Sequence, residues 1–188
     1  MSRIASTVLA AALLSFNLPS ASAEEKKPTD ESCTLFGPQA ARGDTVNWTG
    51  ACIDGYAEGL GTATFTHEGK PYSFTANLVR GTVPDGHVIQ RWGQGWSYDG
   101  EQVAGRFHGW GILSTEAGDR FEGQWTDSKL NGFGVLLRAN GERYVGDWKG
   151  DQPNGKGEFR LADGSTVNGL FVDGKLVPRQ VSYAAQSN

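Results

Sequence analysis

The side chains with the most chemical reach in this 188-residue sequence are a set of carboxylates, two thiols and two lysines that follow glycine-rich runs. Asp99, Glu101, Glu122 and Asp147 could form acid/base pairs, which require carboxyls of perturbed pKa in a closed pocket. Each of them, however, alternates with an aromatic residue or a glycine, and strand alternation puts them on the side opposite Tyr98, Phe121 and Tyr144. A solvated acidic face is the expectation, and no enzymatic activity is predicted. Gly150-Asp-Gln-Pro-Asn-Gly155-Lys156 and Gly169-Leu-Phe-Val-Asp-Gly174-Lys175 have the spacing of a phosphate-binding loop. Gly157 and Leu176 stand where Ser or Thr would hold magnesium, and neither run opens a helix. The Gly-x-Gly pairs lack the third glycine, the helix and the acid of a dinucleotide site. Gly95-Trp-Ser97-Tyr-Asp99 lacks the final glycine of a nucleophile elbow.

Cys33 and Cys52 are the two cysteines, and in an exported chain an even number of thiols predicts a disulfide. A metal site would need further ligands at suitable spacing, and His67, His87 and His108 are scattered. Neither a metal nor a cofactor is predicted. Export is inferred from the N-terminus: Arg3, an apolar run from Val8 to Leu14, a breaker at Pro19, and small residues at Ala21 and Ala23. That is the pattern of a helical signal peptide over residues 1–23, cleaved after Ala23 to give a periplasmic or secreted product. The apolar run is far shorter than the ~20 residues of a membrane-spanning helix, so the mature chain is expected to have no transmembrane segment. A net charge of −4 argues against nucleic acid as a partner.

These residues need elements to position them, and glycine shows which. It supplies 27 of 188 residues, about twice the usual ~7%, and its spacing is regular. From Phe121-Glu-Gly123-Gln-Trp125, a step of 23 residues reaches Tyr144-Val-Gly146-Asp-Trp148, and another reaches Val167-Asn-Gly169-Leu-Phe171. A step back gives Tyr98-Asp-Gly100-Glu-Gln102. The same offset links Gly109, Gly132 and Gly155, then Gly111, Gly134 and Gly157, then Gly118, Gly141 and Gly164. Trp48-Thr-Gly50-Ala-Cys52 opens the series, and Tyr72-Ser-Phe74 opens a unit with extra residues near Arg80 to Gly86. About five units and a partial sixth are expected over residues 48–177. Residues 24–47 would serve as linker and edge cap, and 178–188 as a disordered tail.

Each unit reads as two strands. Tyr144, Gly146 and Trp148 share one face, a loop holding Pro153 and Asn154 follows, and Gly155, Gly157, Phe159 and Leu161 share a face in turn. Asn140-Gly141 and Asp163-Gly164 predict tight turns into the next unit. The expected fold is all-β: an elongated, single-layer, twisted antiparallel sheet of tandem β-hairpins. A ring on one strand should fill the gap left by glycine on the next. The disulfide would clip the preceding segment over the first exposed edge.

This spacing, Tyr-x-Gly-x-Trp, six residues, Gly-x-Gly, six residues, Gly, resembles the MORN repeat over about Trp48 to Leu176. The resemblance implies a hairpin sheet with an aromatic-lined groove that scaffolds protein partners, linked in some members to membrane lipid headgroups. It implies no catalytic residue. Tyr72, Phe74, Tyr98, Phe121, Trp125, Tyr144 and Trp148 form an aromatic stripe that either stacks on glycine or lines a groove for an extended peptide or glycan. The period lapses over His87-Val-Ile-Gln-Arg91-Trp92-Gly-Gln-Gly-Trp96, where a cation stands beside two indoles, and His87, Arg91, Trp92 and Trp96 join the candidate binding residues. The expected function is a binding scaffold of the bacterial cell envelope that engages a protein partner through the groove or a sheet edge. The alternatives are a membrane-lipid headgroup-binding module and a purely structural, self-associating repeat.

Overall fold

A computed structural model describes residues 33–35, 46–67 and 69–177. The expected leader and C-terminal tail lie outside the described residues. Among those residues the regular secondary structure is entirely β, as the alternation predicts. The strands are β1 (Asn47–Trp48), β2 (Ala51–Ile53), β3 (Tyr56–His67), β4 (Lys70–Leu78), β5 (Gly86–Trp92), β6 (Trp96–Val103) and β7 (Arg106–Ser114). They continue as β8 (Arg120–Thr126), β9 (Lys129–Leu137), β10 (Arg143–Lys149), β11 (Gln152–Arg160), β12 (Thr166–Val172) and β13 (Lys175–Leu176). From β3 onward every strand pairs antiparallel with its sequence neighbours, while β1 and β2 both pair with the far side of β3. The result is one open antiparallel sheet.

Two kinds of turn alternate, each set by local residues. Val103↔Arg106, Thr126↔Lys129, Lys149↔Gln152 and Val172↔Lys175 close two-residue turns. Both turn residues have positive φ in each case, for example Gly150 at 56° and Asp151 at 67°. This is the type I′ geometry, whose twist matches that of the flanking strands. The loop expected at Pro153 and Asn154 is therefore corrected: both belong to β11, and Gly150 and Asp151 make the turn. Proline fits the strand because its carbonyl accepts from Gly174 N–H at 2.9 Å, on the side facing the β12–β13 turn, so its missing N–H removes no bond to β10. The other turns hold Asn140-Gly141 and Asp163-Gly164 as expected, with Gly141 N–H donating to Arg138 O at 2.9 Å.

At β6–β7, β8–β9 and β10–β11 the register slips, between Gly100 and Glu101, Gly123 and Trp125, and Gly146 and Trp148. At the β8–β9 and β10–β11 slips a side chain of the first strand bonds to the bulged strand. Gln124 Oε1 accepts from Phe133 N–H and Asp147 Oδ2 from Lys156 N–H, both at 3.0 Å. Such bulges raise the local twist.

The stretch from His87 to Trp96 is regular in structure despite its lapse in sequence: it forms β5, a three-residue turn and the start of β6, with Tyr72↔Trp92↔Trp96 in register. Cys33 and Cys52 form the expected disulfide. It holds Thr34 against the start of β3, with Thr34 N–H donating to Gly55 O at 2.7 Å and Ala57 N–H to Thr34 O at 3.1 Å. Gly81 N–H bonds to the same side of Ala57. The clipped segment thus fills the gap between β3 and the loop after β4, rather than covering the outer edge, and Leu35 is buried there.

Candidate functional site

Pair by pair, the register carries one face across the sheet. Phe65, Tyr72, Trp92 and Trp96 form one row, and Tyr98, Leu113, Phe121, Leu136, Tyr144 and Phe159 another. A second layer is absent among the described residues, yet Tyr98 is 0% and Tyr144 1% exposed. Glycine explains how. Tyr98 on β6 and Trp125 on β8 flank β7, and both lie over Gly111: their rings meet edge-on with centroids 6.0 Å apart. The arrangement returns with Phe121, Gly134 and Trp148 at 6.4 Å, then with Tyr144, Gly157 and Phe171 at 5.1 Å. Alternate strands lie about 9.6 Å apart. Only a strand without a side chain at that point lets their rings touch across it. At these three glycines two rings, rather than one, meet over the gap.

The phenols are fixed by the same geometry. Tyr98 Oη donates to Glu101 O at 2.7 Å and Tyr144 Oη to Asp147 O at 3.1 Å. Burial pushes both phenols up, with the nearby carboxylates Glu101 and Asp147 adding to it; Tyr144 reaches about 12. Trp125 Nε1 donates to Gly111 O at 3.0 Å, whereas Trp148 Nε1 has no partner among the described residues. Where Trp is replaced by Gln102, the amide is buried and donates to Pro84 O at 3.4 Å, and Phe107 stacks on Tyr98 at 3.6 Å.

The pattern that these contacts explain is that of a known repeat: the MORN repeat model matches residues 121–143 and 144–166. The chain carries MORN repeats. No curated protein matches the sequence. MORN repeats serve in binding and scaffolding and form a non-enzymatic module. Among the described residues no group of three His, Cys, Asp or Glu could hold a metal, and no helix is long and apolar enough to cross a membrane.

The MORN geometry divides the candidate binding residues. Tyr98, Phe121, Trp125, Tyr144 and Trp148 are buried in the ring face, where they touch one another and glycine. Phe74, Trp92 and Trp96 are half-buried, and Trp92 stacks on Trp96 at 6.1 Å. Tyr72 stacks on Phe65 at 5.4 Å. His87 sits on the opposite face, where Nε2 meets Asp99 Oδ1 at 3.1 Å. Tyr72, Arg91 and Trp96 come together at a cleft of about 960 Å³ spanning the β3–β4 and β5–β6 hairpins.

Sequence reasoning did not single out Trp110 and Phe133. They are 48% and 47% exposed on the face opposite the rings. Gln124 on β8 links them, pairing with Trp110 and bonding to Phe133 N–H. The signal was available: each is the middle residue of a Gly-x-Gly, 23 residues apart. On the same face Arg120, Leu137, Arg143 and Arg160 lie in register across β8 to β11.

Proposed function

We propose that this chain is a non-enzymatic MORN-repeat binding scaffold of the bacterial cell envelope that engages a protein partner. The observation that carries this reading is the pair Trp110 and Phe133, half exposed and one repeat apart on the uncovered face of the sheet. Exposed aromatics of this kind are the usual anchors of protein interfaces. The buried stripe holds the scaffold rigid and leaves this face to the partner. A second route is strand addition at β12, where β13 and Val177 pair with Leu170 to Val172 and, among the described residues, leave Thr166 to Gly169 at the margin. The leader pattern and the disulfide support an exported location.

Photo-crosslinkers placed at positions 110 and 133 in intact cells test the reading. A discrete adduct, lost when the other position is changed to alanine, is expected. Adducts unchanged by Trp110→Ala and Phe133→Ala would remove this face from consideration.

A second reading is favoured by the in-register cations Arg120, Arg143 and Arg160: a headgroup-binding surface on anionic membranes. Flotation with anionic liposomes across a salt series separates the two, because headgroup binding weakens steeply with salt. A self-associating structural repeat would instead appear as a concentration-dependent rise in sedimentation coefficient.

A further inference from the structure

At the N-terminal end of the uncovered face the register lines up a different chemistry. Asn47 pairs with Thr64, Thr64 with Ser73, Ser73 with Arg91 and Arg91 with Ser97, so β1, β3, β4, β5 and β6 each contribute one polar side chain to a single row. All five border the cleft of about 960 Å³; Phe65, Tyr72 and Trp96, which border it too, belong to the ring row on the other face. One row further in, Thr62 and Thr75 satisfy each other through a hydrogen bond of 2.8 Å. The outer row does not: Asn47, Thr64, Ser73 and Ser97 make no side-chain hydrogen bond among the described residues. Arg91 pairs with no carboxylate there, whereas Arg106, Arg120 and Arg138 each do.

We propose that this cleft binds a carboxylate-bearing oligosaccharide laid across the strands, with Arg91 holding the carboxylate and Asn47, Thr64, Ser73 and Ser97 bonding to ring hydroxyls. The spacing fits the ligand class. Polar groups recur along the row at the strand separation of about 4.8 Å, close to the advance of one hexose in an extended chain. An extended peptide crossing the strands would turn every second residue towards the row, a period of about 6.8 Å that does not match it. Hydroxyls act as both donors and acceptors, as sugar hydroxyls do, and a guanidinium offers a carboxylate two parallel N–H groups. The site lies apart from Trp110 and Phe133, so it stands or falls independently of the protein-binding reading.

Calorimetry on the full chain, with oligogalacturonates of two to six units, tests the proposal. Affinity is expected to rise with length up to about four or five units, the number that the row of strands can seat. The methyl ester of the hexamer should bind roughly tenfold or more weakly, and Arg91→Gln should abolish that preference, as expected for loss of a charged hydrogen bond. Arg91→Lys should restore part of it, and Arg160→Gln, outside the cleft, should change nothing. The circular dichroism spectrum of Arg91→Gln should match that of the parent, because the side chain is exposed. Hexaglutamate is the control for charge alone. Equal affinity for hexaglutamate, equal affinity for acid and ester, a response unaltered by Arg91→Gln, or no saturable binding of any uronate would each overturn the proposal.

Discussion

The ring of Tyr144 lies against the backbone of Gly157 so closely that a Cβ built on that glycine would stand 2.6 Å from Tyr144 Cζ. The two residues belong to adjacent strands and to neighbouring halves of one repeat. Gly157→Ala should therefore displace the ring and destabilise the sheet by about 2 kcal/mol or more, as overpacking does. Gly141→Ala differs in kind: nothing lies within 4 Å of the added atom, and only its φ of +87° opposes the change. About 1 kcal/mol is expected there. Urea midpoints for the two variants should fall in that order, and equal midpoints would mean that ring-on-glycine packing contributes little.

Alkaline titration reads the same packing from the ring side. The phenols of Tyr98 and Tyr144 are raised in the folded chain, Tyr144 from 10.0 to about 12, chiefly by burial. A raised folded-state pKa means that the fold favours the protonated phenol. The stability this contributes is whole below pH 10 and is lost as pH climbs from 10 towards 12. Phenolate absorbance should appear for these two rings only together with the loss of β-sheet signal. In Tyr98→Phe/Tyr144→Phe the fall in stability over that range should become shallower, whatever the change at neutral pH.

Trp125 and Trp148 occupy equivalent places, yet only Trp125 Nε1 has an acceptor, Gly111 O at 3.0 Å. Replacement by phenylalanine removes similar ring volume from both sites. At Trp125 it also removes that buried hydrogen bond, so Trp125→Phe should cost about 1 kcal/mol more than Trp148→Phe. Chemical denaturation of the two variants under one condition makes the comparison, and a larger cost at Trp148 would contradict the assigned bond.

The sheet was legible in the sequence because each of its main contacts joins residues at constant offsets. Tyr98, Gly111 and Trp125 are followed by Phe121, Gly134 and Trp148 and then by Tyr144, Gly157 and Phe171, so one local rule, repeated, specifies the register. Features that depend on backbone detail were less visible. Pro153 and Asn154 resemble a loop in composition, but Asp151 adopts a φ of +67° and makes the turn two residues earlier. Trp110 and Phe133 were hidden by their glycine neighbours, which drew attention to the covered face. Arg91 was legible as a cation beside indoles. Its alignment with Thr64, Ser73 and Ser97 was not, because that row follows from pairing across four strands separated by hairpins of unequal length.

Asp147 shows how an acid that alternates with rings can be structural without being buried. Its Oδ2 accepts from Lys156 N–H at 3.0 Å, inside the bulge, while its own carbonyl takes the Tyr144 hydroxyl. Gln124 makes the equivalent side-chain bond to Phe133 N–H with no charge, so the role requires an acceptor oxygen rather than an anion. Asp147→Asn should accordingly be close to neutral, whereas Asp147→Ala should cost about 1 kcal/mol. Hydrogen exchange at the Lys156 amide gives the direct test: faster in the alanine variant, unchanged in the asparagine variant. If asparagine proved as damaging as alanine, charge would be what matters at this position, and the bulge would need a different account in the unit where Gln124 takes its place.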